Sequence, residues 1–215
     1  MDENATTDAP LDPAGMLALV REQQRDIGLQ LGGAVPFILL AWGVSWTIGF
    51  LSLWSVDGLA NGLPLGAAIA VFVVLFVVAG AVSAFLGIRS GRGIRSSPDS
   101  AFTGTVYGVT WSIGFVGLTA IGVALIRWGL GDLASLYFAS AYVFFCGIMY
   151  IVAAAIWHAI PALVAGCWLV LVAALAPFFG YPGNYLLLAV ADGGAFLVMS
   201  AAMFVARAVA RRPHV

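Results

Sequence analysis

Six stretches of this chain, roughly 35–54, 65–88, 104–126, 134–157, 161–179 and 185–206, are long and apolar enough to cross a bilayer. A helix rising about 1.5 Å per residue needs about 20 such residues to cover a hydrocarbon core about 30 Å thick. In lipid every backbone N–H and C=O must be satisfied within the segment, so each stretch is expected to be a helix. Composition closes off a soluble alternative. The chain is 62% hydrophobic and 9% charged, against about 25% charged in ordinary soluble domains.

Turn and charge signals divide the spans. Asp57-Gly58 and Asn61-Gly62-Leu63-Pro64 part the first two, Gly129 to Asp132 the third and fourth, and His158 to Pro161 the fourth and fifth. Tyr181-Pro182-Gly183-Asn184 precedes the sixth. There Pro182-Gly183 suits the centre of a type II turn and Asn184 an N-cap.

All nine basic residues are arginine. Arg21 and Arg25 precede the first span; Arg89, Arg92 and Arg95 lie between the second and third; Arg207, Arg211 and Arg212 follow the sixth. Arg127 alone falls on the other side, beside the acidic loops of Asp57 and Asp132. The positive-inside rule then places both termini in the cytoplasm. Trp54, Trp128, Tyr181 and Tyr185 would anchor the outer interface, and Trp157 the inner one.

The expected organisation is a polar cytoplasmic segment (1–33), a six-span domain (34–207, as hairpins 34–88, 104–157 and 161–206) and a basic tail (208–215). Residues 1–12 read as disordered and are too acidic for a secretory signal. Asp12-Pro13 opens a short amphipathic helix lying on the cytoplasmic interface. The loop 89–103 is basic and determines topology; it offers no broad nucleic-acid surface.

WGVSWTIGFLSLW (42–54) returns as YGVTWSIGFVGLT (107–119). Identical pairs include Gly43/Gly108, Trp46/Trp111, Gly49/Gly114 and Phe50/Phe115. Trp, Gly and Phe at fixed spacing are not what Leu- and Val-rich spans match by chance. Ser45, Gly49 and Ser52 share one helix face, as do Thr110, Gly114 and Gly117. Such small-residue strips let helices approach closely in lipid, with Trp46 and Trp111 on the ridge beside them. The copies begin spans one and three, so they point the same way: a parallel two-helix hairpin repeat. The third hairpin is either diverged or unrelated.

Asp192, in AVADGGAFLV, lies inside the sixth span. A carboxylate at membrane depth costs about 2.5–3.5 kcal/mol and marks a functional site by default. Its expected partners are Arg127 by ion pairing, or Thr47, Thr119 and Tyr142 by hydrogen bonding. Cys146 and Cys167 read as small core residues. His158 and His214 cannot form a transmembrane haem site together. No HExxH, paired-glutamate or GxxxxGK[ST] motif is present. The expectation is therefore no catalytic residue, no metal and no cofactor.

The polar N-terminal helix, WGVSWTIGF, YGVTWSIGF and YPGNYLLLAVADGG together resemble a group of small actinobacterial six-helix membrane proteins loosely labelled transporter. That resemblance covers most of the chain and implies a bacterial plasma membrane but no substrate. Two functional classes follow: a transporter of a small solute or ion through a site near Asp192, or a non-transporting subunit that binds partner helices through its small-residue faces. The lipid bilayer is the partner in both, and a homo-oligomer is compatible with either.

Overall fold

The computed structural model describes residues 15–17, 32–92 and 97–210. Most of the anticipated interfacial helix, the arginines at 21, 25, 95, 211 and 212, and the end of the basic tail lie outside the described residues; residues 15–17 are helical. Among the described residues, six helical segments are long and apolar enough to cross a membrane. They are α1 (Val35–Gly58), α2 (Leu65–Gly91), α3 (Pro98–Arg127), α4 (Ala134–Trp157), a fifth span running through α5 (Ile160–Leu175) into a 3-10 turn (Ala176–Phe179), and a composite sixth span. The sixth runs through α6 (Gly183–Leu187), a π-helical turn (Leu188–Gly193) and α7 (Gly194–Ala210).

Helix ends follow local chemistry. Ser97 caps α3 by accepting a hydrogen bond from the Ser100 backbone N–H at 3.2 Å. Pro98 takes the first helical position, where no N–H is needed, and Asp99 sits in the positive first turn. α3 therefore starts before the predicted residue 104, and α2 runs on to Gly91, which shortens the basic loop. His158 ends α4 in the left-handed conformation, at φ 52°.

The predicted type II turn before the sixth span is not formed. Pro182 follows a cis peptide bond and has φ −89° and ψ 8°. Asn184 is not the cap. It lies inside α6, fully buried, with Nδ2 3.4 Å from the Ser135 carbonyl oxygen.

α1 is the central helix, touching α2, α6, the π-helical turn and α7. The face carrying Ser45, Gly49 and Ser52 packs on α2. Ser45 donates to the Leu75 carbonyl at 3.0 Å, Ser52 to the Ala68 carbonyl at 3.2 Å, and Trp42 Nε1 to Ser83 Oγ at 2.9 Å. Gly49 leaves room for the Phe72 ring.

The second copy is placed differently. Among the described residues, α4 is the one helix that α3 packs along closely. Gly114 makes room for the Phe145 ring of α4, the counterpart of Gly49 and Phe72. Thr110 and Gly117, expected in the same seam, are outside it. Thr110 is exposed and bonds back to the Val106 carbonyl at 2.8 Å, and nothing stands within 4 Å of a Cβ placed on Gly117. α3 has one close helical neighbour rather than several, so only one edge of its small-residue strip is covered. Cys167, expected in the core, is exposed, and Cys146 is half-buried.

One end of the bundle gathers Arg89, Arg92 and Arg207. There Arg207 hydrogen-bonds the Gly32 and Gly33 carbonyls and ties the end of α7 to the start of α1. At the opposite end the Tyr181 hydroxyl donates to Asp57 Oδ2. That hydrogen bond, and secondarily burial, pushes the Tyr181 hydroxyl up to about 12, from 10.0.

Candidate functional site

A cleft of about 520 Å³ lies inside the bundle, within the roughly 300–1,000 Å³ usual for small-ligand sites. α1 lines it with Trp42, Trp46 and Phe50, and α2 with Phe72 and Phe76, whose rings stack at 4.2 Å. Across from them stand Trp111 and Phe115 of α3, stacked at 5.7 Å. The tryptophan and phenylalanine of both sequence copies thus meet on one cavity. Tyr142, Cys146 and Tyr150 line it from α4 at four-residue intervals, on a single helix face. Tyr185 and Phe196 complete it from the sixth span. Tyr185, anticipated as an interface anchor, stacks instead on Phe50 at 6.2 Å.

The cleft exists because α2 and α3, consecutive in the chain, do not pack along each other. Each is paired with its hairpin partner, and among the described residues no helix closes the side between them. Among the described residues, no charged side chain lines the cavity. One polar group on its wall is unsatisfied: Trp46 is 4% exposed, and its indole N–H is buried without a hydrogen-bond partner.

Asp192 stands one layer behind this wall. It is fully buried in the π-helical turn, and neither carboxylate oxygen has a hydrogen-bond partner. The anticipated pair with Arg127 is not made: Arg127 is exposed at the last turn of α3. Nor are the hydrogen bonds anticipated from Thr119 and Tyr142. These two bond each other at 2.6 Å, and Thr119 also donates to the Phe115 carbonyl.

Thr47 does come to the Asp192 turn, against its neighbour. Gly193 lies so close that a Cβ there would meet the Thr47 Oγ1, with the Thr47 backbone nitrogen at 2.7 Å. Thr47 Oγ1 is itself buried and unpartnered. The glycine permits this backbone-to-backbone approach of the sixth span to α1. The Trp168 indole N–H donates to the Ala191 carbonyl of the same turn at 3.0 Å, so α5 also braces it.

Three side chains connect Asp192 to the cleft. Trp46 precedes Thr47, Phe196 is one helical turn beyond Asp192 and packs edge-on against Trp46 at 5.4 Å, and Cys146 lies within electrostatic range of the carboxylate. All three line the cavity.

Trp46 and Trp111, read from the sequence as helix-packing ridge residues, and Tyr142, read as a partner of Asp192, line the cleft, whereas Trp42, Phe72, Phe76, Cys146, Tyr150 and Phe196 were not read as parts of one site. The four-residue spacings Phe72–Phe76 and Tyr142–Cys146–Tyr150 were the available signal.

Six apolar spans around an internal aromatic cleft define the class: a multi-pass α-helical membrane protein. Comparison with protein-family models, curated proteins and solved structures finds no match.

Proposed function

We propose that this chain is a transporter-like membrane protein, not an enzyme, that holds a small ligand in the aromatic cleft with Asp192 as its polar determinant. The observation that carries the reading is the convergence of both Trp–Phe copies on one cavity of about 520 Å³ beside a fully buried, unpartnered carboxylate. In a membrane interior, unpaired acids of this kind mark substrate or proton pathways, and π-turns recur at functional sites. The gap between α2 and α3 gives a ligand entry from the bilayer. The matched glycine–ring contacts, Gly49 with Phe72 and Gly114 with Phe145, support descent from a duplicated parallel hairpin.

Native mass spectrometry of the full chain, excised from its own membrane in polymer discs, tests the ligand reading. The expected spectrum shows the chain carrying a small-molecule adduct that is lost on Trp111→Leu. A wild-type chain released bare overturns it.

A second reading, a subunit that binds a partner helix, is favoured by one observation. One face of α3 carries Gly104 and Gly108, a helical turn apart, both exposed and with open space around them. The same spectrum separates the two readings, since a partner adds a polypeptide mass.

We assign the arginine-bearing end of the bundle to the cytoplasmic side by the positive-inside rule, in the bacterial plasma membrane that the resemblance implies. Ala60→Cys, at the other end, is expected to react with an impermeant maleimide added outside cells, in a background lacking Cys146 and Cys167. Labelling only from the cytoplasmic side reverses the orientation.

A further inference from the structure

We infer that the ligand of the aromatic cleft is a lipophilic organic monocation, such as a hydrophobic amine or quaternary ammonium or phosphonium ion; this rests on the ligand-cleft reading above. Two independent features point to positive charge. The first is the wall. Trp46, Phe50, Phe72, Phe76, Trp111 and Phe115 present aromatic rings from three helices, and ring faces attract cations through their quadrupole. The second is the charge behind it. Asp192 is fully buried, no basic side chain is bonded to it among the described residues, and both its oxygens are unsatisfied.

In a medium of low dielectric a carboxylate acts well beyond contact distance. Once ionised, Asp192 puts the cleft in a negative field that no basic side chain bonded to it among the described residues cancels, and a cation in the cleft is what stabilises that ionised form. A neutral apolar ligand would leave that field uncompensated, and an anion would be repelled by it. A monocation neutralises it once, which matches the single carboxylate.

The shape of the site sets the rest of the class. Among the described residues the lining is apolar and lacks charged groups, so a small hydrated ion would lose its water shell without receiving a replacement set of oxygens. An organic cation brings its own apolar shell and spreads its charge over it. A phospholipid headgroup does not fit either. Its ammonium arrives with a phosphate, and among the described residues no basic side chain lines the cleft to receive it. The cavity is also at the depth of Trp46, about eleven residues or roughly 16 Å into α1, away from the headgroup layer.

The test uses the full chain in nanodiscs of neutral lipid, with empty discs as the background. Equilibrium dialysis compares tetraphenylphosphonium with tetraphenylborate, which has nearly the same shape and the opposite charge. The expected result is saturable one-site binding of the phosphonium and none of the borate above background. Asp192→Asn, close in volume and neutral, is expected to weaken phosphonium binding about tenfold or more. Equal saturable binding of both ions overturns the cation assignment while leaving a ligand cleft in place. So does phosphonium binding that is unchanged in Asp192→Asn. Absence of saturable phosphonium binding overturns the assignment as well, and the adduct spectrum of the native chain then decides separately whether the cleft holds any ligand. The borate comparison needs no variant, so the inference stays testable even where a substitution impairs folding.

Discussion

Gly166→Val is expected to separate α4 from α5 and unfold the centre of the bundle. At this crossing the two backbones touch through paired glycines. A Cβ on Gly166 would stand 2.7 Å from the Gly147 carbonyl oxygen and 2.8 Å from the Ile151 nitrogen. A Cβ on Gly147 would stand 2.8 Å from the Val170 nitrogen and 2.9 Å from the Gly166 carbonyl oxygen. The opposing atoms are backbone, so no rotamer change relieves the overlap and the helices must move apart. Overpacking of this kind costs about 1–3 kcal/mol. In lipid, where packing rather than water exclusion drives association, the lost contacts are not regained elsewhere. α5 also positions the Asp192 turn through Trp168, so the damage reaches the site. Thermal unfolding in detergent, followed by size-exclusion chromatography, is expected to show a marked fall in the transition temperature for Gly166→Val. Gly117→Val is the internal control: its surroundings are open, and the same measurement is expected to leave the isolated chain unchanged. An unaltered transition for Gly166→Val would show that the seam does not hold the bundle together.

That seam shows where sequence reading stops. The six spans were legible because each is an uninterrupted apolar run, and apolar length is a local property. α1's strip was legible too, since Ser45, Gly49 and Ser52 repeat small residues on one face. Gly147 lies between Ser140 and Ala154 at seven-residue spacing and Gly166 between Ala162 and Ala173, but small residues are so common in these spans that only the crossing of the two helices marks this pair as a seam.

The same limit applied to the repeat. The copies share residues, yet one is central and the other peripheral, because burial depends on which helices assemble around them. Neighbouring spans in sequence are expected to pack together, and α2 and α3 do not. The cleft is the consequence, and it is a property of the assembly rather than of either segment. Asp192 was conspicuous as a charge in an apolar run. Its lack of partners was not, because that depends on where Arg127, Thr119 and Tyr142 finish. Arg127 ended at the exposed terminus of α3, while the two hydroxyls satisfied each other.

Asp192→Asn is expected to make the protein more stable while weakening its hold on a cation. The carboxylate is buried without a hydrogen bond or a countercharge, and nothing in the fold returns the cost of placing it there. An amide of nearly the same volume fits the same space and carries no charge to desolvate. Relief of an uncompensated buried acid is on the order of 1–3 kcal/mol, and the expected readout is a raised unfolding temperature in detergent without ligand. Adding tetraphenylphosphonium is expected to reverse the order. The wild type gains stability by mass action as the cation binds the folded state, and the variant gains little.

This pair of measurements separates a functional acid from a structural one. A carboxylate that anchored the π-helical turn would be missed on substitution, and the variant would melt earlier with or without the cation. A carboxylate retained for a ligand leaves the empty protein strained and the occupied protein relaxed. Its unsatisfied oxygens are then the signature of a site whose partner arrives from outside the chain.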